Sequence, residues 1–368
     1  MRLKRILFLF CGLTIAISIY YIVNTYVFPN SKYGPVNDVG YIKHTERRPN
    51  QRLVFYIVVV ACGQRLQETL VMIKSALLYN HSKELLKFVI FTEENLRNEF
   101  NEKLGDWHNL LPYEFEYDLK PLSFPQHSEK EWKFLFKPCA AQRLFLPSLL
   151  TDIDSVLYVD TDMLFLSPVS DIWNHFSHFN SSQIAGLSPE HENSNIGWYN
   201  RFARHPFYGK LGLNSGVMLM NLTQMRNFNW EARVLPIYKE YKLRITWGDQ
   251  DIINILFYYH SEKLYLFSCE YNYRPDHCMY MNVCNAPNGI KIIHGNRGYF
   301  HSSKEPIFRA IYDAVDSYQL TSHAYSFFLM PLKEALEDQS ILESNCGKVS
   351  KNILEVAEQI FLNEYDET

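Results

Sequence analysis

The first apolar block of the chain runs uncharged from Ile6 to Phe28. At a rise of ~1.5 Å per residue, about 20 helical residues cross a bilayer core of ~30 Å. The block therefore predicts one membrane span, with Tyr20, Tyr21 and Tyr26 as interfacial anchors near its far end. Arg2, Lys4 and Arg5 precede it, which keeps a tail at 1–5 cytosolic and places the body of the chain in the lumen. A cleaved signal peptide has a shorter apolar region ending in a small-residue site. Bulky Tyr, Val and Phe follow here, so 6–28 reads as an uncleaved signal anchor and 29–52, with Pro29, Gly34, Pro35 and Pro49, as a luminal stem.

From Leu53 the pattern changes. Leu53–Ala61 is continuously apolar, the mark of a strand buried on both faces. An amphipathic helix follows at about Leu66–Tyr79, then strands at Phe88–Phe91 and Tyr113–Tyr117, a helix over Cys139–Leu150 and a buried strand at Ser155–Val159. Further strands are expected at Ile184–Leu187, Gly216–Leu219, Leu264–Phe267 and Ile290–Ile293, with helices at Ala232–Tyr241 and Asp251–Tyr259. Beyond Pro306 three helical segments close the chain, the last near Ile353–Leu362. Strands alternating with helices argue an α/β fold with a mostly parallel sheet covered on both sides. The luminal part is expected to divide into an α/β domain at 53–345 and a C-terminal helical extension at 346–368.

Composition narrows the class. Apolar residues make up 47% and charged residues 21%, with a formal charge of −4, so the chain is globular and carries no nucleic-acid footprint. Outside Cys11 there are six cysteines, Cys62, Cys139, Cys269, Cys278, Cys284 and Cys346, compatible with luminal disulfides, and Cys278 with Cys284 would close a short loop. Asn80, Asn180 and Asn221 begin glycosylation sequons, and Asn221 follows an apolar run that burial would hide.

The sharpest chemical feature is Val156-Leu-Tyr-Val-Asp160-Thr-Asp162. An apolar strand delivers two carboxylates two residues apart, which on an extended chain share a side and together hold one divalent cation. The same Asp-x-Asp spacing recurs at 152/154 and 249/251, but only the 160/162 pair stands at a strand end. His294 closes the strand Ile290–Ile293 and is followed by Gly295-Asn-Arg-Gly298. Imidazole plus carboxylates suits Mn²⁺, and glycines let backbone approach a phosphate. Lys291, Arg297 and Arg309 stand nearby in sequence to neutralise one. Asn214-Ser215-Gly216 precedes a buried strand, where a sugar meets Asn or backbone. Asp249 opens an apolar helical stretch as a possible N-cap, which leaves Gln250 unexplained.

Taken in order, Val60-Ala61-Cys62, Lys137-Pro-Cys-Ala-Ala-Gln-Arg143, Asp160-Thr-Asp162, Asn214-Ser-Gly216, Gly248-Asp-Gln-Asp251 and His294-Gly-Asn-Arg-Gly298 resemble the family 8 retaining glycosyltransferases. The segments 136–147 and 293–298 are similar to the animal glucoside xylosyltransferase branch, and the resemblance covers about residues 53–320. It implies a GT-A (Rossmann-like) domain that binds a UDP-sugar through Mn²⁺ on Asp160, Asp162 and His294. It also implies uracil contacts at Val60 and Ala61, and a donor-sugar contact at Arg143 that extends to the Asp-x-Asp turn. Asn214 and Asp249 match donor-sugar hydrogen-bonding positions, with Ser215 beside Asn214, and Gln250 matches the residue at the reacting face. Gly295, Arg297 and Gly298 fall at the phosphate loop. Many relatives carry a lysine six residues after the motif histidine; here that position is Phe300, and Arg297 stands as its substitute.

The expectation is a type II membrane enzyme of the endoplasmic reticulum or Golgi. It would transfer xylose from UDP-α-D-xylose to O-linked glucose on a glycoprotein with epidermal-growth-factor-like repeats, retaining the anomeric configuration. Trp198, Tyr199 and Trp247 are candidates to exclude the hydroxymethyl group that glucose adds to xylose. Alternatives are a family 8 hexosyltransferase using UDP-galactose or UDP-glucose, and a luminal carbohydrate-binding relative without turnover.

Overall fold

Val54–Ala61 (β1) is extended because its β-branched run suits a pleated chain packed on both faces. Phe55, Ile57 and Val59 enter one core and Val58 the opposite one. In this computed structural model residues 53–366 are described, apart from 81–83, 112–114, 126–128, 134 and 136–138. The expected cytosolic tail, membrane anchor and stem lie outside the described residues, as do Phe136, Lys137 and Pro138. Among the described residues no helix is long and apolar enough to cross a membrane.

The remaining strands are β2 (Leu85–Thr92), β3 (Phe115–Pro121), β4 (Ser155–Val159), β5 (Met163–Phe165), β6 (Ala185–Pro189), β7 (Leu213–Asn221), β8 (Leu264–Leu266) and β9 (Ile292–His294). Among the described residues a seven-stranded sheet has the order β3-β2-β1-β4-β7-β6-β8. The expectation of a mostly parallel sheet holds, with β7 running against both β4 and β6. β5 and β9 form a separate antiparallel pair. The main helices are α1 (Leu66–Leu78), α2 (Glu94–Leu110), α3 (Trp230–Tyr241), α4 (Asp249–Tyr259), α5 (Pro306–Ser317) and α6 (Ser350–Asp366). Leu157, Val159, Val217 and Leu219 point with β1's odd residues towards α1 and α2. Val156, Tyr158, Met218 and Met220 pack on α3 and α4 across the sheet. A third core unites Leu164 and Ile293 with α5 and the helices that follow it.

Several expectations shift. The helix expected over Cys139–Leu150 is a 3₁₀ turn at Ala140–Phe145 followed by one α-turn at Leu146–Leu149. Pro147 has no N–H to continue the first run, and the carbonyls left over accept from Trp230 and Arg226. The strand expected at Tyr113–Tyr117 occupies Phe115–Pro121, and that expected at Gly216–Leu219 extends back to Leu213, so Asn214 and Ser215 lie inside β7. Cys278 does not pair with Cys284. The disulfides are Cys62–Cys139, Cys269–Cys284 and Cys278–Cys346, the last because the segment after α5 folds back onto the short helix at Pro275–Met279. Asn180 is exposed, Asn80 is buried, and Asn221 caps a short helix by accepting from Gln224 N–H at 2.9 Å.

Candidate active site

β4 and β5 are joined by three residues, Asp160, Thr161 and Asp162. Asp160 still pairs with the sheet, its N–H donating to Gly216 O at 2.8 Å. The register of β5 with β9 sets Met163 opposite His294, and Gly295 N–H donates to Asp162 O at 2.9 Å. Two segments far apart in sequence are thus stitched together by backbone bonds. As a result one ligand atom each from Asp160, Asp162 and His294 lies within 4.8 Å of the others. His294 Nε2 stands 3.4 Å from Asp162 Oδ1.

The histidine's tautomer follows from a chain of amides. Gly216 N–H donates to Asn214 Oδ1 at 3.0 Å, and a backbone N–H cannot accept, so that oxygen is fixed in place. Asn272 Nδ2 must therefore donate to the same oxygen, at 2.8 Å, and it also donates to Ser188 Oγ at 3.1 Å. This turns Asn272 Oδ1 towards His294 Nδ1, 2.9 Å away, which consequently carries the hydrogen. Nε2 keeps its lone pair on the carboxylate side, the arrangement in which a second residue orients a metal-binding imidazole. The approach is close: a Cβ on Gly216 would lie 2.5 Å from the His294 ring, so only glycine fits there. Two carboxylates and an oriented imidazole fit a divalent cation.

A second cluster adjoins the first. The guanidinium of Arg143, only 6% exposed, lies 2.7 Å from Asp160 and 2.5 Å from Asp249, and donates to Ser215 O. Burial alone would lower its pKa; Asp160 and Asp249 outweigh that and raise it. Burial, with Asp160 adding, pushes Asp249 up to about 6 against the pull of Arg143. Asp249 is not an N-cap. It is the first residue of α4 after Gly248, and no side chain caps the helix; Asp251 Oδ2 instead ties down the segment that leads into it, accepting from Thr246 and Trp247 N–H at 2.6 and 2.7 Å. Gln250 Oε1 accepts from Ser215 N–H at 3.1 Å, and its amide donates to Tyr199 OH at 3.2 Å.

These groups wall a cavity of about 490 Å³ that holds Val60, Arg143, Asp160, Asp162, Asn214, Ser215, Asp249, Gln250, His294 and Arg297 on its surface. Ala61 is fully buried beneath it, its carbonyl accepting from Thr92. Gly295 and Gly298 shape the loop without lining it. Gly298 has φ +79, a backbone state glycine adopts at little cost. Arg297 is held by both oxygens of Asp276 at 2.5 Å. Lys291 and Arg309 pair with Asp171 and Asp313 away from the cavity, and Phe300 is buried against Tyr312. Trp198 and Trp247 form one wall, their ring centroids 5.4 Å apart, whereas Tyr199 is buried behind them and donates to Asp251.

Sequence reasoning missed Asn272, Arg65, Glu190 and Asn296. Asn296 and Arg65 line the cavity, and the Asn296 side-chain oxygen has no hydrogen-bond partner among the described residues. Glu190 lines the wall beside Trp198, its pKa pushed up to about 7 by burial, with Asp276 adding and Arg274 opposing. Asn296 stood inside the motif His294-Gly-Asn-Arg-Gly298 without being singled out, whereas Asn272, Arg65 and Glu190 belong to no recognisable local pattern.

The family model for glycosyl transferase family 8 matches residues 19–297. Mouse glucoside xylosyltransferase 2 is 49% identical over 327 residues, 85% of this chain and 73% of that protein. Human glucoside xylosyltransferase 1 is 50% identical over 309 residues, 80% of this chain and 69% of that protein. The apo crystal structure of mouse xyloside xylosyltransferase 1 superposes with a TM-score of 0.50 at 18% identity, covering 67% of this chain and 98% of that one. The sheet is thus the centre of a mixed α/β, GT-A-like glycosyltransferase fold, and the chain belongs to glycosyl transferase family 8.

Proposed function

We propose that this glycosyltransferase moves xylose from UDP-α-D-xylose to an O-linked glucose on a glycoprotein, forming an α-xylosyl bond with retention. The observation that carries this reading is the identity of about half of all aligned residues with proteins named glucoside xylosyltransferases, together with a cavity whose walls suit the chemistry. Mn²⁺ is the cation we assign to Asp160, Asp162 and His294, because mixed carboxylate and imidazole donors suit it. When bound it supplies positive charge to the leaving diphosphate.

The chain's own residues do the rest. Arg143 ties Asp160 to Asp249, so the metal side and the sugar side of the cavity keep a fixed spacing. Asn214 offers its amide to the sugar while its oxygen is held by Gly216 and Asn272. Gln250 Oε1 faces Ser215, accepting from its N–H and lying 3.3 Å from its hydroxyl. An amide oxygen so engaged is a weak nucleophile, so Gln250 orients the donor and the acceptor hydroxyl attacks from the departing diphosphate's side, giving its proton to a phosphate oxygen. Trp198 and Trp247 supply bulk against a C5 hydroxymethyl group.

A panel of UDP-sugars, scored for Mn²⁺-dependent UDP release with a glucoside acceptor, tests the proposal. The expected result is a preference for UDP-xylose over UDP-glucose of at least about tenfold in kcat/KM. Equal or better rates with UDP-glucose or UDP-galactose would move the assignment to a hexosyltransferase. We further place the domain in the lumen of the endoplasmic reticulum or Golgi behind the 6–28 anchor, which protease protection in intact vesicles checks.

A further inference from the structure

Five carboxylates line the cavity, Asp160, Asp162, Glu190, Asp249 and Asp276, against three guanidinium groups, Arg65, Arg143 and Arg297. Arg143 is ion-paired to Asp160 and Asp249, and Arg297 to Asp276. Both cations are therefore matched by carboxylates of the same wall. Arg65 differs. Its ion-pair partner is Glu68, one turn along at the start of α1, and Glu68 lies outside the cavity lining.

Glu68 is itself a clamp. Its side chain is 8% exposed, and it receives His301 Nε2 at 3.0 Å and Thr161 Oγ1 at 3.4 Å. Thr161 is the middle residue of the Asp160–Asp162 turn, so Arg65 is anchored to the element that carries the metal carboxylates. Asp160 and Asp162 both act on the Arg65 guanidinium electrostatically. The hydrogen bond to Glu68 engages one of its nitrogens, Nη1, while the residue lines the cavity and its guanidinium has four further N–H donors.

We propose that Arg65, positioned by Glu68, is the side chain that binds a phosphate oxygen of the nucleoside diphosphate donor beside the metal site. The inference rests on the UDP-sugar reading above. The donor's diphosphate carries two negative charges and gains a third as UDP departs, and it enters a wall where Asp160 and Asp162 already share the dication's charge. A permanently charged, forked donor not matched by a wall carboxylate meets that demand and matches phosphate geometry. Glu68 is a positioning residue: it fixes the fork without touching the ligand.

The test is calorimetric titration of the full chain in mild detergent with UDP, uridine and Mn²⁺ as separate probes. Arg65→Gln should weaken UDP binding by at least about tenfold and leave uridine within about twofold. Mn²⁺ alone should bind no more weakly, and even more tightly, because a cation near Asp160 and Asp162 has been removed. Arg65→Lys should recover part of the UDP affinity, and Glu68→Gln should lose less than Arg65→Gln. That opposition between UDP and Mn²⁺ separates phosphate binding from a merely structural role, which would weaken both. Undiminished UDP binding by Arg65→Gln, or parallel loss of UDP and Mn²⁺ in both Arg65 variants, overturns the role of Arg65 and leaves the donor reading standing. Failure of the unaltered chain to bind UDP overturns that reading and this inference with it.

Discussion

Asp160-Thr-Asp162 closes a strand and Asp249-Gln-Asp251 opens a helix, and the same spacing produces opposite geometry. At the strand end the chain turns between β4 and β5, and both carboxylates converge with His294. On α4 two positions are separated by roughly 200° around the axis. Asp249 therefore faces Arg143 and the cavity. Asp251 points the other way, fully buried, and binds Thr246 N–H, Trp247 N–H, Tyr199 OH and His205. One pair converges on a candidate metal site, the other serves half the cavity wall and half the scaffold that presents Gln250. A pattern of letters acquires meaning only with the periodicity of the element beneath it.

The widest contrast comes from breaking each pair at its buried or converging member. Asp162→Asn is expected to cut kcat by ~1000-fold, about 4 kcal/mol of barrier, with the melting temperature essentially unchanged. Asp251→Ala strands several donors around a buried site and should cost about 3 kcal/mol of stability, a fall of several degrees in melting temperature, whatever happens to turnover. Near-normal activity for Asp162→Asn in millimolar Mn²⁺, or an unshifted melting curve for Asp251→Ala, would remove the distinction.

Asn272 sharpens the metal side. Replacing it by Ala removes the acceptor that holds His294 Nδ1–H and the donor to Asn214. Loss of such an orienting partner typically weakens metal binding ~10- to 100-fold. Titration of Mn²⁺ followed by electron paramagnetic resonance reads this without turnover, and an unchanged affinity would show that His294 is oriented by other means.

How far the sequence carried depended on whether a role was local. β1 and β4 were legible because both faces of each are buried, leaving continuous apolar runs, and Asp160, Asp162 and His294 because they stand at ends of such runs. Asn272 was not: it lies in an ordinary stretch between a 3₁₀ turn and a five-residue helix, and its role exists only through Asn214 and His294. The pairing of Cys278 with Cys346 was hidden likewise, since it depends on the chain returning after α5. Glu68 fell within the expected amphipathic helix at about Leu66–Tyr79, and Arg65, just ahead of it, carried no signal. Tyr199 was put forward for bulk at the sugar, yet α4 shows it to be the pivot holding Asp251, Asn254 and Gln250.

On the sugar side of the cavity, Trp247→Ala should relax the choice of donor. The ring stands at the N-terminal approach to α4 and packs against Trp198. Truncation opens room for a hydroxymethyl group, a difference of ~1–3 kcal/mol at most in an apolar pocket. The ratio of kcat/KM for UDP-xylose over UDP-glucose should fall by about tenfold, and an unchanged ratio would place the selectivity elsewhere in the wall.

The smallest effect concerns Glu190, which stands apart from both Asp pairs and so tests whether the cavity's electrostatics extend beyond them. Its Oε2 accepts from Trp198 N–H at 3.3 Å, and burial, reinforced by Asp276, lifts its pKa from 4.5 to about 7 despite Arg274 and Arg297. A carboxyl whose pKa is raised on folding binds its proton more tightly in the native state. The stability it contributes is complete below the unfolded value and is lost as pH rises through about 7. The unliganded protein should therefore lose stability between pH 5 and pH 8 relative to Glu190→Gln, whose neutral amide does not titrate. The full shift would be worth about 3 kcal/mol, and water in the cavity reduces this to on the order of 1 kcal/mol. Melting temperatures of the two proteins measured in parallel across that range should show a constant offset at low pH, drift apart between about pH 5 and pH 7 as the unfolded carboxyl ionises and the folded one does not, and hold a constant offset again above that. Curves that stay parallel would mean that Glu190 is already ionised in the empty cavity, with Arg274 and Arg297 outweighing its burial.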